Sequence, residues 1–228
     1  MYEIKTIPSP RFLTTLGALF VTFSIASVAL GYKMISFGGE FVFSGAAFVI
    51  PFRYLIGDII AEIYGYDVAK KQIFNLVLCC AVFSILVFTV SHLPPPSHWA
   101  YQSDYIYVLG SAPHITFFAL IGMFLGIYLN TYLLVKLRFL LKFNPFVLRV
   151  LLASGLGEFI QYSFVISLLY YSKLPFQKLI ILIFSDYVFQ ILIIGIFTIP
   201  TYYAMQFIKN LESYKKESFS FDPFKVVD

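Results

Sequence analysis

Long apolar segments separated by short polar ones make up almost the whole chain. Six of these segments are long enough for an α-helix to cross a bilayer, which takes roughly 20 residues. The pattern therefore predicts an all-α polytopic membrane protein with six transmembrane helices. We expect the first segment to be retained, because no small-residue cleavage site closes it. The predicted helices cover residues 12–31, 41–65, 73–93, 114–135, 146–170 and 177–207.

The composition indicates the same class of protein. The chain is 60 % hydrophobic and 12 % charged, whereas an average soluble domain is about 25 % charged. We predict one transmembrane domain over residues 1–208 and a charged cytoplasmic tail over residues 209–228. The net charge of +4 comes from lysines and arginines in loops, which is typical of loops facing an anionic cytoplasmic leaflet. The lipid bilayer is therefore an expected partner, and nucleic acid is not.

The distribution of lysine and arginine predicts the orientation. Twelve of the 16 fall on one side of the six predicted helices and three on the other, and Arg53 alone lies inside a helix. Cytoplasmic loops carry the excess of these residues. Both termini should then be cytoplasmic, and the even number of helices agrees.

The second predicted helix carries charges that do not favour insertion. Arg53, Asp58 and Glu62 lie within ten residues of each other, and each charge at the bilayer centre costs roughly 2.5–3.5 kcal/mol. Asp58 and Glu62 are four residues apart and share one helix face with Tyr54. Pro51 cannot continue an intrahelical hydrogen bond. The pattern predicts a helix that is broken or kinked at Pro51, followed by a polar half-helix that faces the protein interior.

Other helices carry polar residues at a similar depth. With a rise of ~1.5 Å per residue, five residues on three helices fall near the middle of the membrane: Arg53, Glu158, Gln161, Asp186 and Gln190. Asp58 and Asn130 fall together in the inner third. Such convergence is typical of a common polar cavity.

The charge of this cavity limits its substrates. Arg53 is the one cation within the helices, against four carboxylates: Asp58, Glu62, Glu158 and Asp186. Water, a proton or a bound cation must compensate this excess. The residues alone therefore predict a carrier for a small neutral or cationic solute, with proton coupling as an option.

Enzymatic and scaffolding functions find less support. The sequence has no Gly-rich phosphate loop, no Cys or His spacing for a metal, and no nucleophile elbow, so neither catalysis nor a cofactor is expected. Asp58 and Asp186 are a candidate aspartyl protease pair, but their flanking residues do not support one. A scaffold would not need carboxylates at mid-depth on three helices. The aromatic outer loop 94–113 has two interpretations, interfacial anchoring or a lid over a planar ligand.

One motif resembles that of a known family, the queuosine precursor transporters, also called vitamin uptake transporters. The resemblance covers nearly the whole chain, and its most specific part is the block 58–65. It rests on Pro51, Tyr54, Asp58, Glu62, Tyr64 and Gly65, then on Trp99, Asn130, Lys136, Arg149, Ser154, Gly157, Glu158, Pro200 and Tyr203. The chain departs from the family pattern at Gln161 and Gln190, where the family has an Asp and a Lys.

The resemblance implies import of two 7-deazaguanine precursors of queuosine, the 7-cyano and 7-aminomethyl compounds, across a bacterial inner membrane. It also implies a fold similar to the substrate-binding subunits of energy-coupling-factor transporters. The alternative is such a subunit, for a vitamin or nucleobase, working with a separate ATPase module. The coupling ion, the preferred deazapurine and a homo-oligomeric state remain open.

The candidate residues then take two roles. Glu158 is the first choice for the purine edge, completed by Asn130, Gln161 or Gln190, and Asp186 and Arg53 are further candidates for substrate binding. Arg53 is also expected to hold a carboxylate in its charged form. We assign inner gating or proton coupling to Asp58, Glu62, Tyr54 and Arg149.

Overall fold

A computed structural model describes residues 10–31, 33–36, 38, 42–110, 112–140 and 146–212. Its main elements are seven helices and a short β-hairpin. The helices are α1 (Leu13–Leu30), α2 (Ile50–Tyr64), α3 (Tyr66–Ser91), α4 (Gln102–Tyr105), α5 (Ala112–Leu140), α6 (Phe146–Tyr170) and α7 (Phe176–Glu212). The strands β1 (Met34–Ser36) and β2 (Val42–Ser44) pair antiparallel between α1 and α2. A 3-10 turn (Gly45–Phe48) precedes α2, and a π-helical turn (Ile106–Gly110) follows α4.

Five helices within these described ranges are long and apolar enough to cross a membrane. They are Leu13–Leu30, Tyr66–Ser91, Phe117–Arg138, Phe146–Tyr170 and Phe176–Glu212. The protein is therefore an all-α multi-pass membrane protein, as the hydropathy pattern predicts. The segment predicted as a tail is helical from 209 to Glu212, and the rest of it lies outside the described residues.

The second predicted helix differs from the structure at its beginning. The hairpin strand β2 and the 3-10 turn occupy residues 42–48, and α2 begins only at Ile50. Pro51 therefore lies in the first turn of α2, where its missing N–H would have had no partner in any case. The predicted break or kink at Pro51 is wrong, because this proline lies in the first turn of α2 and does not interrupt a longer α-helix.

A glycine separates α2 from α3. Gly65 has φ 90°, a conformation that residues with a Cβ rarely adopt. The chain therefore leaves α2 and enters α3 at once, with Tyr66 as the first residue of α3. The third helix accordingly begins seven residues before its predicted start at Ile73.

Helix α2 lies at the centre of the bundle. All of its 15 residues except Phe52 and Ile56 are buried, and it packs against α1, α3, α5, α6 and α7. The predicted placement of its polar half in the protein interior is confirmed. The charged residues of α2 are thus surrounded by protein and do not face lipid.

Helices α5 and α6 make the most extensive interhelical contact in the described structure. They approach at two glycines, where a Cβ built on Gly157 would lie 2.6 Å from the carbonyl oxygen of Gly126. A Cβ on Gly126 would lie 2.7 Å from the Gly157 carbonyl oxygen. Gly122 and Gly126, four residues apart on α5, therefore serve close packing against α6, and this contact fixes the positions of the polar residues on both helices.

Candidate functional site

A cavity of about 110 Å³ lies in the half of the bundle that carries the β-hairpin. A cavity needs roughly 10–15 Å³ on this measure to hold one water, so there is room for a small organic molecule. Its walls are mostly apolar and come from α1, the hairpin, α2, α5, α6 and α7. The polar lining residues are Ser27, Ser44, Arg53, Gln161, Tyr162, Tyr170 and Asp186. No described residue of the aromatic outer loop lines it.

One wall of the cavity carries Arg53 and Gln161. The Arg53 guanidinium donates from Nη2 to Gln161 Oε1 at 2.8 Å, and the Tyr54 hydroxyl donates to the same oxygen at 3.0 Å. All three side chains are buried, and Arg53 is only 1 % exposed. We expected Arg53 to hold a carboxylate in its charged form, but its side-chain hydrogen bond goes to an amide, because Gln161 on α6 faces it.

Asp186 on α7 also lines the cavity. Its Oδ1 accepts a hydrogen bond of 2.9 Å from the backbone N–H of Ser44 on β2. Its Oδ2 is buried and has no hydrogen-bond partner among the described residues. Gln190, one turn further along α7, donates to the Asp186 carbonyl oxygen at 3.3 Å and does not line the cavity.

Glu158 is fully buried on α6, one turn from Gln161. Neither of its carboxylate oxygens has a hydrogen-bond partner within the described part of the chain. Buried polar groups are nearly always satisfied, so an exception requires a proton, a water or a ligand. Glu158 does not line the cavity, but at ~1.5 Å rise per residue it lies only about 4–5 Å along the α6 axis from Gln161.

Asp58 forms a second polar layer with Asn130 and Ser154. Asn130 Nδ2 donates to Asp58 Oδ1 at 2.7 Å. The Ser154 hydroxyl lies 3.2 Å from both Asp58 Oδ2 and Asn130 Oδ1. The predicted meeting of Asp58 and Asn130 is confirmed, and their placement in the inner third of the membrane stays a prediction. This layer lies about 7–8 Å along α2 from Arg53 at ~1.5 Å per residue.

Glu62 forms a third layer at the end of α2. Arg149 of α6 holds its carboxylate with two hydrogen bonds, Nη1 to Oε2 at 3.1 Å and Nη2 to Oε1 at 3.3 Å. Arg138 of α5 and Lys209 of α7 approach Glu62 Oε1 at 3.7 and 3.8 Å. One carboxylate thus connects the ends of four helices. Arg138 and Lys209 are absent from the sequence-based candidates, because they lie at or beyond the ends of the predicted helices.

A further contact closes the same end of the bundle. Glu212 Oε1, on the last residue of α7, accepts hydrogen bonds from the Tyr64 hydroxyl at 2.7 Å and from the Phe12 backbone N–H at 2.9 Å. The start of α1 and the ends of α2 and α7 therefore meet there. In the described parts of the chain, no group of three or more His, Cys, Asp or Glu side chains is placed to hold a metal ion.

The candidate substrate-binding residues thus divide into three groups. Arg53, Gln161 and Asp186 line the cavity. Glu158 and Gln190 are buried nearby with unpartnered oxygens, and Asn130 belongs to the Asp58 layer. Among the candidates for gating, Glu62 and Arg149 pair with each other, whereas Tyr54 contacts the cavity wall. Depth along the helix predicts the layer of each residue, but not the direction in which its side chain points.

Membrane-length helices around a mostly apolar cavity with a few buried polar side chains are an arrangement that small-molecule transporters use. Comparison with known proteins supports this class: a family model described as putative vitamin uptake transporter matches residues 44–205, more than half of the chain. The protein belongs to this family. The matched stretch contains Arg53, Asp58, Glu158 and Asp186. No curated protein and no solved structure gives a match.

Proposed function

We propose that the protein is a secondary carrier that imports 7-deazaguanine precursors of queuosine across the bacterial inner membrane. Membership of the family supports a small-molecule substrate and a transport role. The choice of deazapurine follows from the resemblance of the block around Asp58 and Gly65 to the queuosine precursor transporters. On this proposal the protein catalyses no chemical reaction and needs no cofactor.

The composition of the cavity is the observation that carries the proposal. Arg53 and the amide of Gln161 offer hydrogen-bond donors on one wall, and Asp186 offers a free carboxylate oxygen on the other. A deazaguanine presents a carbonyl oxygen, which accepts hydrogen bonds, and several N–H groups, which donate them. The mostly apolar walls suit the flat ring.

Glu158 is our first choice for the N–H edge of the base. Its two carboxylate oxygens are buried and have no hydrogen-bond partners among the described residues. They lie next to the cavity, one turn of α6 from Gln161. A base that extends beyond the cavity in that direction would reach them. Such a base would satisfy both oxygens at once and remove the cost of leaving them unpaired.

We propose that α2 completes six membrane crossings. Its 15 residues rise about 22 Å, and the four residues of the 3-10 turn add about 8 Å, close to the ~30 Å hydrocarbon core. Ser44 precedes α2 at the cavity end, and Glu62 meets Arg149 and Lys209 at the opposite end. That opposite end carries most of the lysines and arginines, so it is assigned to the cytoplasm together with both termini.

The Asp58 and Glu62 layers are then the inner gate. Both lie on the cytoplasmic side of the cavity, and a substrate leaving that way has to pass between the helices that they join. Asp58 is the candidate proton carrier, and the pair of Glu62 with Arg149 is the candidate lock. No nucleotide-binding motif occurs in the sequence, which fits a carrier that uses a gradient or facilitated diffusion.

Uptake into liposomes that contain only the purified protein tests this function. Labelled 7-cyano- or 7-aminomethyl-7-deazaguanine should enter, and accumulation that follows an imposed pH gradient would support proton coupling. The Glu158→Gln variant should insert normally but lose uptake. Binding without transport would favour the subunit of an ATPase-driven system, and the absence of both binding and transport would contradict the proposed substrate.

A further inference from the structure

The two oxygens of the Asp186 carboxylate have different environments. Oδ1 is held by the Ser44 backbone N–H at 2.9 Å, which fixes the orientation of the side chain and ties α7 to the hairpin. Oδ2 is buried and has no partner among the described residues, and Asp186 belongs to the wall of the cavity. The side chain is thus oriented by the protein but only half satisfied.

None of the described residues places a cation within salt-bridge distance of Asp186. Arg53 is the only cation among the described lining residues, and its Nη2 already donates to Gln161 at 2.8 Å. The salt bridges found in the described structure all involve Glu62, which lies in another layer. A buried carboxylate whose described partners, the backbone N–H and hydroxyl of Ser44, are both neutral is costly, and a cation placed against it would offset that cost.

The two candidate substrates differ in what they offer to this oxygen. A protonated aminomethyl group is a cation with three N–H donors, as in a lysine side chain. A cyano group is neutral, and its nitrogen only accepts. The cyano nitrogen would therefore face Oδ2 without a hydrogen bond, whereas the ammonium would form a charge-assisted one.

We propose that Asp186 determines substrate specificity and makes the protein prefer a base with a protonated aminomethyl substituent over the neutral 7-cyano base. This inference rests on the proposed function and adds which member of the substrate class is favoured. Glu158 takes the N–H edge, which both compounds share, so it does not discriminate between them. Asp186 contacts only the substituent in which they differ.

Equilibrium binding to the purified protein tests this preference with three ligands. These are the 7-aminomethyl, 7-cyano and 7-hydroxymethyl derivatives of 7-deazaguanine, the last being a neutral compound of nearly the same shape as the first. The wild type should bind the aminomethyl compound roughly ten- to hundredfold more tightly than the hydroxymethyl one, the range expected for a charge-assisted hydrogen bond. This comparison needs no variant.

The Asp186→Asn variant then tests the contribution of the carboxylate charge, because it removes the charge and keeps nearly the same shape. Asparagine keeps an oxygen that can accept from the Ser44 N–H, so the contact with the hairpin survives. The variant should lose roughly ten- to hundredfold in affinity for the aminomethyl compound, but it should gain affinity for the cyano compound, because the asparagine amide can donate to the cyano nitrogen. Asp104→Asn, an exposed site in α4, is the matched control and should change neither affinity.

Three results would overturn the inference. The first is equal wild-type affinity for the aminomethyl and hydroxymethyl compounds, and the second is a wild-type preference for the cyano compound. The third is an Asp186→Asn variant that keeps its aminomethyl preference. In each case the bases still bind, so the proposed function stands. If no deazapurine binds the wild type, the proposed function fails and the inference fails with it.

Discussion

At the scale of single residues, Ser154 has one hydroxyl proton and two acceptors at 3.2 Å, Asp58 Oδ2 and Asn130 Oδ1. A hydroxyl donates one full hydrogen bond but can accept others. Both contacts are full hydrogen bonds together only when Asp58 carries a proton and donates it to Ser154. When Asp58 is protonated, every contact in this layer is a hydrogen bond, and when it is ionised, one of the two Ser154 contacts lacks a proton. This difference suits the proposed role of Asp58 in proton coupling.

Asn130 is the donor that holds Asp58 in place at 2.7 Å. Asn130→Ala would leave Asp58 Oδ1 buried without a partner, which costs about 1–3 kcal/mol. For a chain of this size we expect the thermal midpoint to fall by roughly 3–10 °C, measured by intrinsic fluorescence in detergent. Asn75→Ala, at an exposed position of α3, is the control. Equal shifts in both variants would contradict the structural role of Asn130.

At the scale of the elements, the α5–α6 contact positions residues of all three layers. Gly157 faces Gly126, and a Cβ built on it would come within 2.6 Å of the Gly126 carbonyl oxygen and 3.0 Å of the Asn130 Cβ. Gly157→Ala should therefore push the helices apart and move Asn130 and Gln161. We expect at least a tenfold loss of uptake, which corresponds to about 1.4 kcal/mol, together with a lower thermal midpoint.

Gly195 provides the matched control for that change. It lies in α7, and nothing stands within 4 Å of a Cβ built on it. Gly195→Ala should leave uptake unchanged, and the better helix propensity of alanine should stabilise the protein by at most about 1 kcal/mol. Normal uptake by Gly157→Ala would show that the close approach of α5 and α6 is not needed for transport.

The ends of four helices depend on one carboxylate, Glu62. Its partner Arg149 is nearly buried, whereas the Lys209 side chain is 31 % exposed and 3.8 Å away. Glu62→Gln should cost about 3–5 kcal/mol, because it leaves the buried cation Arg149 unpaired, and Lys209→Gln only about 0–1 kcal/mol. Thermal unfolding of the two variants compares these costs. Similar losses of stability would mean that the three cations share Glu62 equally.

The sequence could predict α2 as the polar interior helix, because its charges are too costly to face lipid. It could not predict the hairpin before α2, since a short apolar run such as 42–50 fits a strand or a buried helix equally well. The contact that favours the strand comes from a residue far away in the sequence, because the Ser44 N–H donates a hydrogen bond to Asp186 on α7. Depth along the helix placed Asp58 beside Asn130, but it could not show that the cavity ends between Gln161 and Glu158, which share one face of α6.

At the scale of the whole molecule, the bundle has two unlike ends. The hairpin, Asp186 and the cavity lie towards one end, and Glu62 with its three cations lies towards the other. Only the second end is bridged by ion pairs within the described residues. With the proposed orientation, this asymmetry predicts an arrangement in which the cytoplasmic side is closed and the substrate enters past the hairpin.

The orientation can be tested by reporter fusions. Because lysine and arginine concentrate on the side of Glu62, a fluorescent protein fused after Asp228 should fold and fluoresce in the cytoplasm. Alkaline phosphatase at the same position should stay inactive, since it requires an oxidising compartment. A fusion within the outer loop, after Ser103, should give the opposite pattern. Active phosphatase at the C-terminus would reverse the proposed orientation and place the cation cluster outside.

The measurement to make first is whether bound substrate protects a cysteine in the cavity wall from chemical labelling. Ala119 lines the cavity, and the two native cysteines, Cys79 and Cys80, can be replaced by alanine. In that background Ala119→Cys should react with a methanethiosulfonate reagent. The 7-aminomethyl base at ten times its Kd should slow this reaction about tenfold, as the unoccupied fraction falls. The exposed Ser103→Cys should react at the same rate with or without the base. An unprotected Ala119→Cys in a variant that still transports the base would show that the substrate binds elsewhere.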